Sequence, residues 1–432
     1  MFDLDALLAC KVSGLSHPRR RWLFVLAIGF LFATYMVVGL NYGPYFTPDG
    51  KRDFYFANLL VDSGFNPWLF AERVRPLQPL YEMPQSPLQY FVYLCMLAFA
   101  GAVAGAEYWG HVVVSLNALF YTATAAIMIA FIAHLTDRLL TTVMAAVAMG
   151  GIWEFIQWVT TTQSDPLYLL LCTAAGVLTV LAANDDRGRA RRYLLFAGAI
   201  GLLSIATRPT WFPLIAFLLA AIILLNVLRL STNVRAAAAM FFLTMLLLVA
   251  VGIALHAYVI FDPGQWSWPA LREMAEFLRP YHAQGWVQWA RPETYTSPPE
   301  SELGFMAVSA LRLVYFFWFL ADDFSLRHIL LNVMTFPLFY AFVGLGLIAV
   351  WLRPPGMPPS LWRAGILACL YILTVDAYHA VTILDYDWRY RLPTLWAFIV
   401  LAAIGLETIT GWLAVRRSCA QLRQAKDQKV AE

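Results

Sequence analysis

Residues 47–88 read TPDGKRDFYFANLLVDSGFNPWLFAERVRPLQPLYEMPQSPL, and they carry Asp49, Lys51, Arg52, Asp53, Asp62, Glu72, Arg73, Arg75 and Glu82. The apolar runs that begin on either side of this polar insert, at Trp22 and Tyr90, fix how the rest of the chain is read. Of 432 residues, 61% are hydrophobic and 13% charged, against roughly a quarter charged in an ordinary soluble domain. Apolar runs of the ~20-residue length that spans a bilayer as helix recur from Trp22 almost to Arg416. A membrane barrel shows shorter alternating segments instead. The sequence therefore predicts an all-α, polytopic integral membrane protein with about ten transmembrane helices.

Orientation follows from the basic residues. Lys11, Arg19, Arg20 and Arg21 precede the first run, Arg138 sits in a short turn, and Arg187, Arg189, Arg191 and Arg192 follow the run from Pro166 to Leu181. Arg416, Arg417, Arg423 and Lys426 lie in the tail. The positive-inside rule places these, and both termini, in the cytoplasm. The insert is then outside, as is a second insert from Phe261 to Glu302, dense in Trp, Pro and charge. Short, Gly-rich Tyr90–Ala104 reads as a membrane-lying or re-entrant helix, with the next crossing starting at His111. Within the first insert, Asp53–Asp62 reads as a surface helix closed by Gly64 and stopped by Pro67.

The net charge of +3 argues against a nucleic-acid partner, and the five cysteines are too scattered for a metal or disulfide pattern. No P-loop, HExxH, CxxC or GxSxG motif is present, which disfavours nucleotide-driven pumps and common hydrolases. The frame collects Asp49, Asp53, Glu82, Gln163, Asp165, Arg208, His282, Arg389 and Arg391 on the outer face. Arginine forks match phosphate oxygens and a carboxylate accepts an acceptor's proton, which is the chemistry a lipid-linked phosphate needs. Each residue also has a bland reading: Asp49 or Asp165 as a helix cap, Arg208 snorkelling to headgroups, His282 as a surface histidine. Glu154, close to hydrocarbon, needs a cavity or partners.

Four local patterns carry a resemblance. Asp49/Asp53 with FYFANLLVDSG and Phe65-Asn66-Pro67-Trp68 resembles the DxxxY…AxxLLxGxxPY entry of glycosyltransferase family 87 and family 39-like enzymes. Tyr81-Glu82-Met83-Pro84 before an apolar run is similar to the Glu-x-Pro of aminoarabinose transferases. Gln163-Ser164-Asp165-Pro166-Leu167 followed by Ala206-Thr207-Arg208-Pro209-Thr210 resembles an SDxLF…LAxLTRPxG run. Asp387-Trp388-Arg389-Tyr390-Arg391-Leu392-Pro393 resembles RYxLP. Together these resemble the GT-C superfamily of membrane glycosyltransferases over about three quarters of the chain.

The resemblance implies a single membrane domain: a GT-C-like module over 1–260 with its external insert at 43–110, a second insert at 261–302, and variable helices over 303–432. It implies a polyprenyl-phosphate sugar donor, a glycan, lipid or protein acceptor, and inverting transfer at the outer face of a bacterial cell membrane. An insert Asp is then the base, Arg208 a donor-phosphate contact, and Arg389 or Arg391 an assistant. Asp49 fits the spacing counted back from Gly64, and Asp53 fits the local context beside Phe54; the Tyr expected after either is replaced or shifted. The resemblance fixes no cofactor and allows a divalent metal at Glu82. The rival classes are a lipid or sugar transporter, which keeps ionisable residues near the bilayer midplane, and a non-catalytic envelope-assembly protein.

Overall fold

The computed structural model describes residues 17–77, 87–136, 138–185, 187–261, 301–320, 324–381 and 388–431. Among these the protein is all helix: the sole β-type pairing is one isolated bridge between Tyr45 and Thr161. Eight described helices are long and apolar enough to cross a membrane, or nine if one bent pair counts as a span. The protein is thus a multi-pass helical membrane protein. The expected fifth span is present as a 19-residue helix, but its first turns are basic, which leaves too short an apolar length to join that set.

The helices run in order as α1 (His17–Tyr42), α2 (Pro48–Asp62), α3 (Pro67–Val74), α4 (Phe91–Thr136), α5 (Leu139–Gly151), α6 (Trp153–Ile156), α7 (Asp165–Asn184), α8 (Arg187–Ile205), α9 (Phe212–Leu230), α10 (Val234–Phe261), α11 (Glu302–Tyr315), α12 (Leu326–Leu352), α13 (Pro359–Val381) and α14 (Leu395–Ala431). At 46 residues, α4 is twice the length a bilayer needs. It breaks at Gly105, whose φ of 70° and ψ of −179° only glycine adopts without strain. The expected division into a short helix before Gly105 and a crossing after it is therefore present, as two arms of one broken helix.

The apolar side chains of the first arm do not belong to the main core. Tyr93, Leu94, Leu97, Ala98 and Ala100 pack with Phe56, Ala57 and Leu60 of α2 and Phe70 and Val74 of α3 into a separate small core. Phe54 stacks on Trp109 at 4.0 Å between centroids, closing this core beside the break. Helix α2 begins at Pro48, five residues earlier than expected, because the Thr47 side chain caps the Gly50 N–H at 2.9 Å. The expected stop is Gly64, at φ 61°, followed by Phe65 at φ 58°; Pro67 opens α3 rather than ending α2.

The main core joins α1, the second arm of α4, α5, α7, α9, α12, α13 and α14. Helices α12 and α14 cross where Gly346 meets the Leu401 carbonyl and Gly405 meets that of Phe342; a Cβ at either glycine would overlap the oxygen. Helix α5 and the turns after it bend by 64° around Ile152. The two ends of the bundle differ in chemistry. One carries Arg138 paired with Glu407, Arg189 with Asp185, and Arg235 bonded to the Arg353 carbonyl. The other carries the residues described next.

Candidate functional site

Helix α2 presents two acids one turn apart, and the structure binds them through one cation. Arg52 donates from Nη1 to Asp49 Oδ1 at 2.9 Å, and from Nε and Nη2 to Asp53 Oδ1 at 2.9 and 2.7 Å. Asp53 is 3% exposed, whereas the Asp49 side chain is 46% exposed. Both bonds to Asp53 fall on Oδ1, so Oδ2 accepts from none of the described residues. Burial pushes the Asp53 carboxyl up to about 6, against the opposing pull of Arg52. Asp49 is not the helix cap; Thr47 takes that role.

The loop before α7 is pinned against the start of α2. Tyr45 N donates to the Thr160 carbonyl at 2.8 Å, and Thr162 N donates to that of Tyr45 at 3.2 Å. Gly50 lies so close to Thr162 that a Cβ there would overlap its Oγ1 and carbonyl oxygen. Asn117 of α4 steadies the loop, donating to the Val159 and Thr161 carbonyls at 3.1 and 2.8 Å. These contacts bring Gln163 and Asp165 beside α2. Tyr93 is within electrostatic reach of both Asp53 and Asp165, and Tyr90 of Asp53, Asp49, Arg52 and Arg208. The Arg52 guanidinium lies over the Tyr90 ring at 5.7 Å.

Arg208 does not snorkel. It is 7% exposed and forms a buried ion pair with Asp165 through Nη1 and Oδ1. Its guanidinium sits over the rings of Tyr168 and Tyr390 at 5.9 and 5.6 Å. The turn that carries it is tied to α4 by the Val92 N–H, which donates to the Ala206 carbonyl at 2.8 Å. A cavity of about 10 Å³ adjoins Arg208, lined by Tyr168, Thr210, His379 and Tyr390 among others, with room for about one water. Buried groups at this end without a partner among the described residues include the Gln163 side-chain oxygen and the Tyr93 hydroxyl.

Of the expected site residues, Asp49 and Asp53 are joined by Arg52, Gln163 lies in the pinned loop, and Asp165 is joined to Arg208. Arg391 does not join them. Its Nη1 reaches the Tyr340 hydroxyl at 3.2 Å, and it lines a different small cavity with Glu154 and Phe336. In the turn Trp388–Thr394 it is Tyr390 that faces Arg208. Glu82, His282 and the side chain of Arg389 lie outside the described residues. No group of three or more metal-ligating side chains occurs among the described residues.

A second polar cluster lies around Glu154, 3% exposed. It accepts from Gln157 Nε2 at 2.6 Å and Asn332 Nδ2 at 2.9 Å, and pairs with His328 Nε2 at 2.6 Å. The His328 ring stacks on Phe324 at 3.9 Å. A signal for it was present: His328 and Asn332 stand four apart at the start of an apolar run, on one helix face. Tyr390 and His379 near Arg208 had no such signal, because only packing brings α13 and the 388–394 turn to that point. Comparison with protein-family models, with curated proteins and with solved structures gives no match to this chain.

Proposed function

We propose that this protein is a membrane glycosyltransferase of the GT-C type. It moves a sugar from a polyprenyl-phosphate donor to a hydroxyl of an envelope glycolipid, polysaccharide or protein. The observation that carries this reading is a buried carboxyl group held near 6, Asp53, and a buried arginine, Arg208, both within electrostatic reach of Tyr90 at the end of the bundle opposite the clustered basic residues. Asp53 Oδ2 takes the acceptor's hydroxyl proton. The acceptor oxygen bonds to the anomeric carbon as the carbon–oxygen bond to phosphate breaks, and the electron pair leaves with the polyprenyl phosphate. Arg208 offsets the charge that develops there; a guanidinium has five N–H donors, so an ion pair through Nη1 is compatible with phosphate contact. Inversion follows from direct displacement. Asp49 shares Arg52 with Asp53 and tunes it from the solvent side. The positive-inside rule orients this end outward, and the proposed membrane is a bacterial cell membrane.

The cavity at Arg208 holds only about 10 Å³, so donor binding requires Tyr390 or His379 to move. In vesicles carrying the full chain, a panel of polyprenyl-phosphate sugars should include one that is consumed. Asp53→Asn should slow that transfer by about 100-fold or more, the usual worth of a general base. Transfer by Asp53→Asn at the unsubstituted rate would remove the proposed base, and no donor consumed would remove the reading.

One observation favours a lipid or sugar transporter as the second reading. Asp376 is 7% exposed inside a candidate span, a buried acid of the kind carriers use. Movement of a labelled lipid across these vesicles without donor cleavage would select it.

A further inference from the structure

Away from the Asp53–Arg208 end, α10, α12, α13 and α14 leave a groove of about 590 Å³ between them. That is within the range of small-molecule sites, roughly 300 to 1,000 Å³. Its wall is hydrocarbon and aromatic: Phe242, Leu246, Leu347, Trp351, Ile372 and Phe398 are representative. Leu243 and Leu246 of α10 are 69% and 53% exposed, so the groove opens toward the bilayer between helices. From Tyr340 to Trp351 along α12 it extends about 16 Å at the helical rise, around half the thickness of the hydrocarbon core.

Two polar side chains interrupt this wall, Asp376 and Tyr340. Asp376 Oδ1 is buried with no hydrogen-bond partner among the described residues. A carboxyl group left unpartnered in such surroundings costs free energy unless something enters to meet it. Asp376 stands five residues from the end of α13 that approaches Arg208, so the polar spot lies toward that end and the apolar length toward the other.

We infer that this groove binds a long-chain lipid alcohol, its hydrocarbon chain along α12 and its hydroxyl donating to the Asp376 carboxyl group. Three features select that occupant. The described lining contains no Lys, Arg or His, and the cation behind it, Arg391, is already engaged with the Tyr340 hydroxyl, so a phosphate ester would meet the Asp376 carboxyl group before any cation. An ammonium brings three N–H donors, and the lining offers one carboxyl and one phenol to receive them. An alcohol brings one donor, which Asp376 satisfies. A bare acyl tail would leave the carboxyl as it is. The groove is distinct from the Arg208 cavity and holds such a lipid whether or not the chain transfers sugar.

The test uses the full chain in phosphatidylcholine nanodiscs and tritiated hexadecanol carrying a diazirine in its chain. Photolabel should map to peptides of α10 and α12 and saturate. Unlabelled hexadecanol should compete at least about tenfold better than hexadecyl phosphate or hexadecylamine. Asp376→Leu should weaken labelling about tenfold, and Asp376→Asn, which keeps a hydrogen-bonding oxygen, less than about threefold. Gly344 lines the groove, and a Cβ there meets nothing within 4 Å. Gly344→Phe should therefore fill the space and abolish labelling while the thermal unfolding midpoint holds. Equal or better competition by the phosphate or the amine overturns the inference, as does labelling that fails to saturate or that persists in Gly344→Phe.

Discussion

Asp53 and Glu154 are both carboxylates with 3% of their surface exposed, yet their surroundings differ. Glu154 is met by Gln157, His328 and Asn332 from two separate parts of the chain. Among the described residues Asp53 is hydrogen-bonded by Arg52 alone, on one oxygen, and its carboxyl is pushed up to about 6. A buried acid with its hydrogen bonds complete ties helices together, because removing it strands every donor around it. Under the proposed function, an oxygen left over, with the unpartnered Tyr93 hydroxyl within electrostatic reach, is what proton exchange needs. Burial alone does not separate structure from chemistry; saturation does.

The largest expected effect tests a third case, the Asp165–Arg208 pair. Arg208→Ala leaves Asp165 buried without its cation, and should cost about 3 to 5 kcal/mol in denaturant unfolding. A loss below 1 kcal/mol would mean that the pair is solvated and not part of the bundle's support.

The next effect is on pH. Asp53 holds its proton more tightly folded, at about 6, than an unfolded aspartate at about 3.9. Between those values the folded chain carries the extra proton, so this contribution is complete below pH 4. It then declines by about 3 kcal/mol as pH rises through 6. Unfolding free energies measured from pH 4 to 7 should show that slope, and Asp53→Asn should flatten it. An unchanged slope in the variant would assign it elsewhere.

Glu154→Ala should destabilise the fold by about 1 to 3 kcal/mol, through stranded donors on α12. Below its melting temperature, transfer should stay within a few fold. Should transfer vanish while the fold holds, the contrast between the two acids fails. Smallest is Phe54→Leu, which gives up the Trp109 stack, worth about 0.5 to 1.5 kcal/mol beyond area. A thermal melt should register it as a slight loss, confined to the small core of α2, α3 and the first arm of α4.

The sequence carried much of this because several of the decisive relations are local. Asp49, Arg52 and Asp53 lie within one helical turn, Gly105 marks its own break, and apolar run lengths give the spans. The Asp165–Arg208 pair was legible only as two patterns in a fixed order, joined by resemblance. What could not be read depends on the register between helices. Glu154 finds His328 174 residues away, and Arg391 and Tyr390, adjacent in sequence, face different cavities because a 3₁₀ turn sets them about 120° apart. Asp376 lies in an apolar run, and only the packing of four helices sets it in a groove.

The central claim is that Asp53 is the proton acceptor, and the pH dependence of initial transfer rate tests it most directly. With a donor that the unsubstituted chain consumes, the rate should rise with pH and reach half its plateau near 6, the Asp53 value. Asp53→Asn should be slower by about 100-fold or more at every pH, and Asp53→Glu should restore part of the rate. A variant Asp53→Asn that transfers at the unsubstituted rate and keeps the same acid limb would contradict the account.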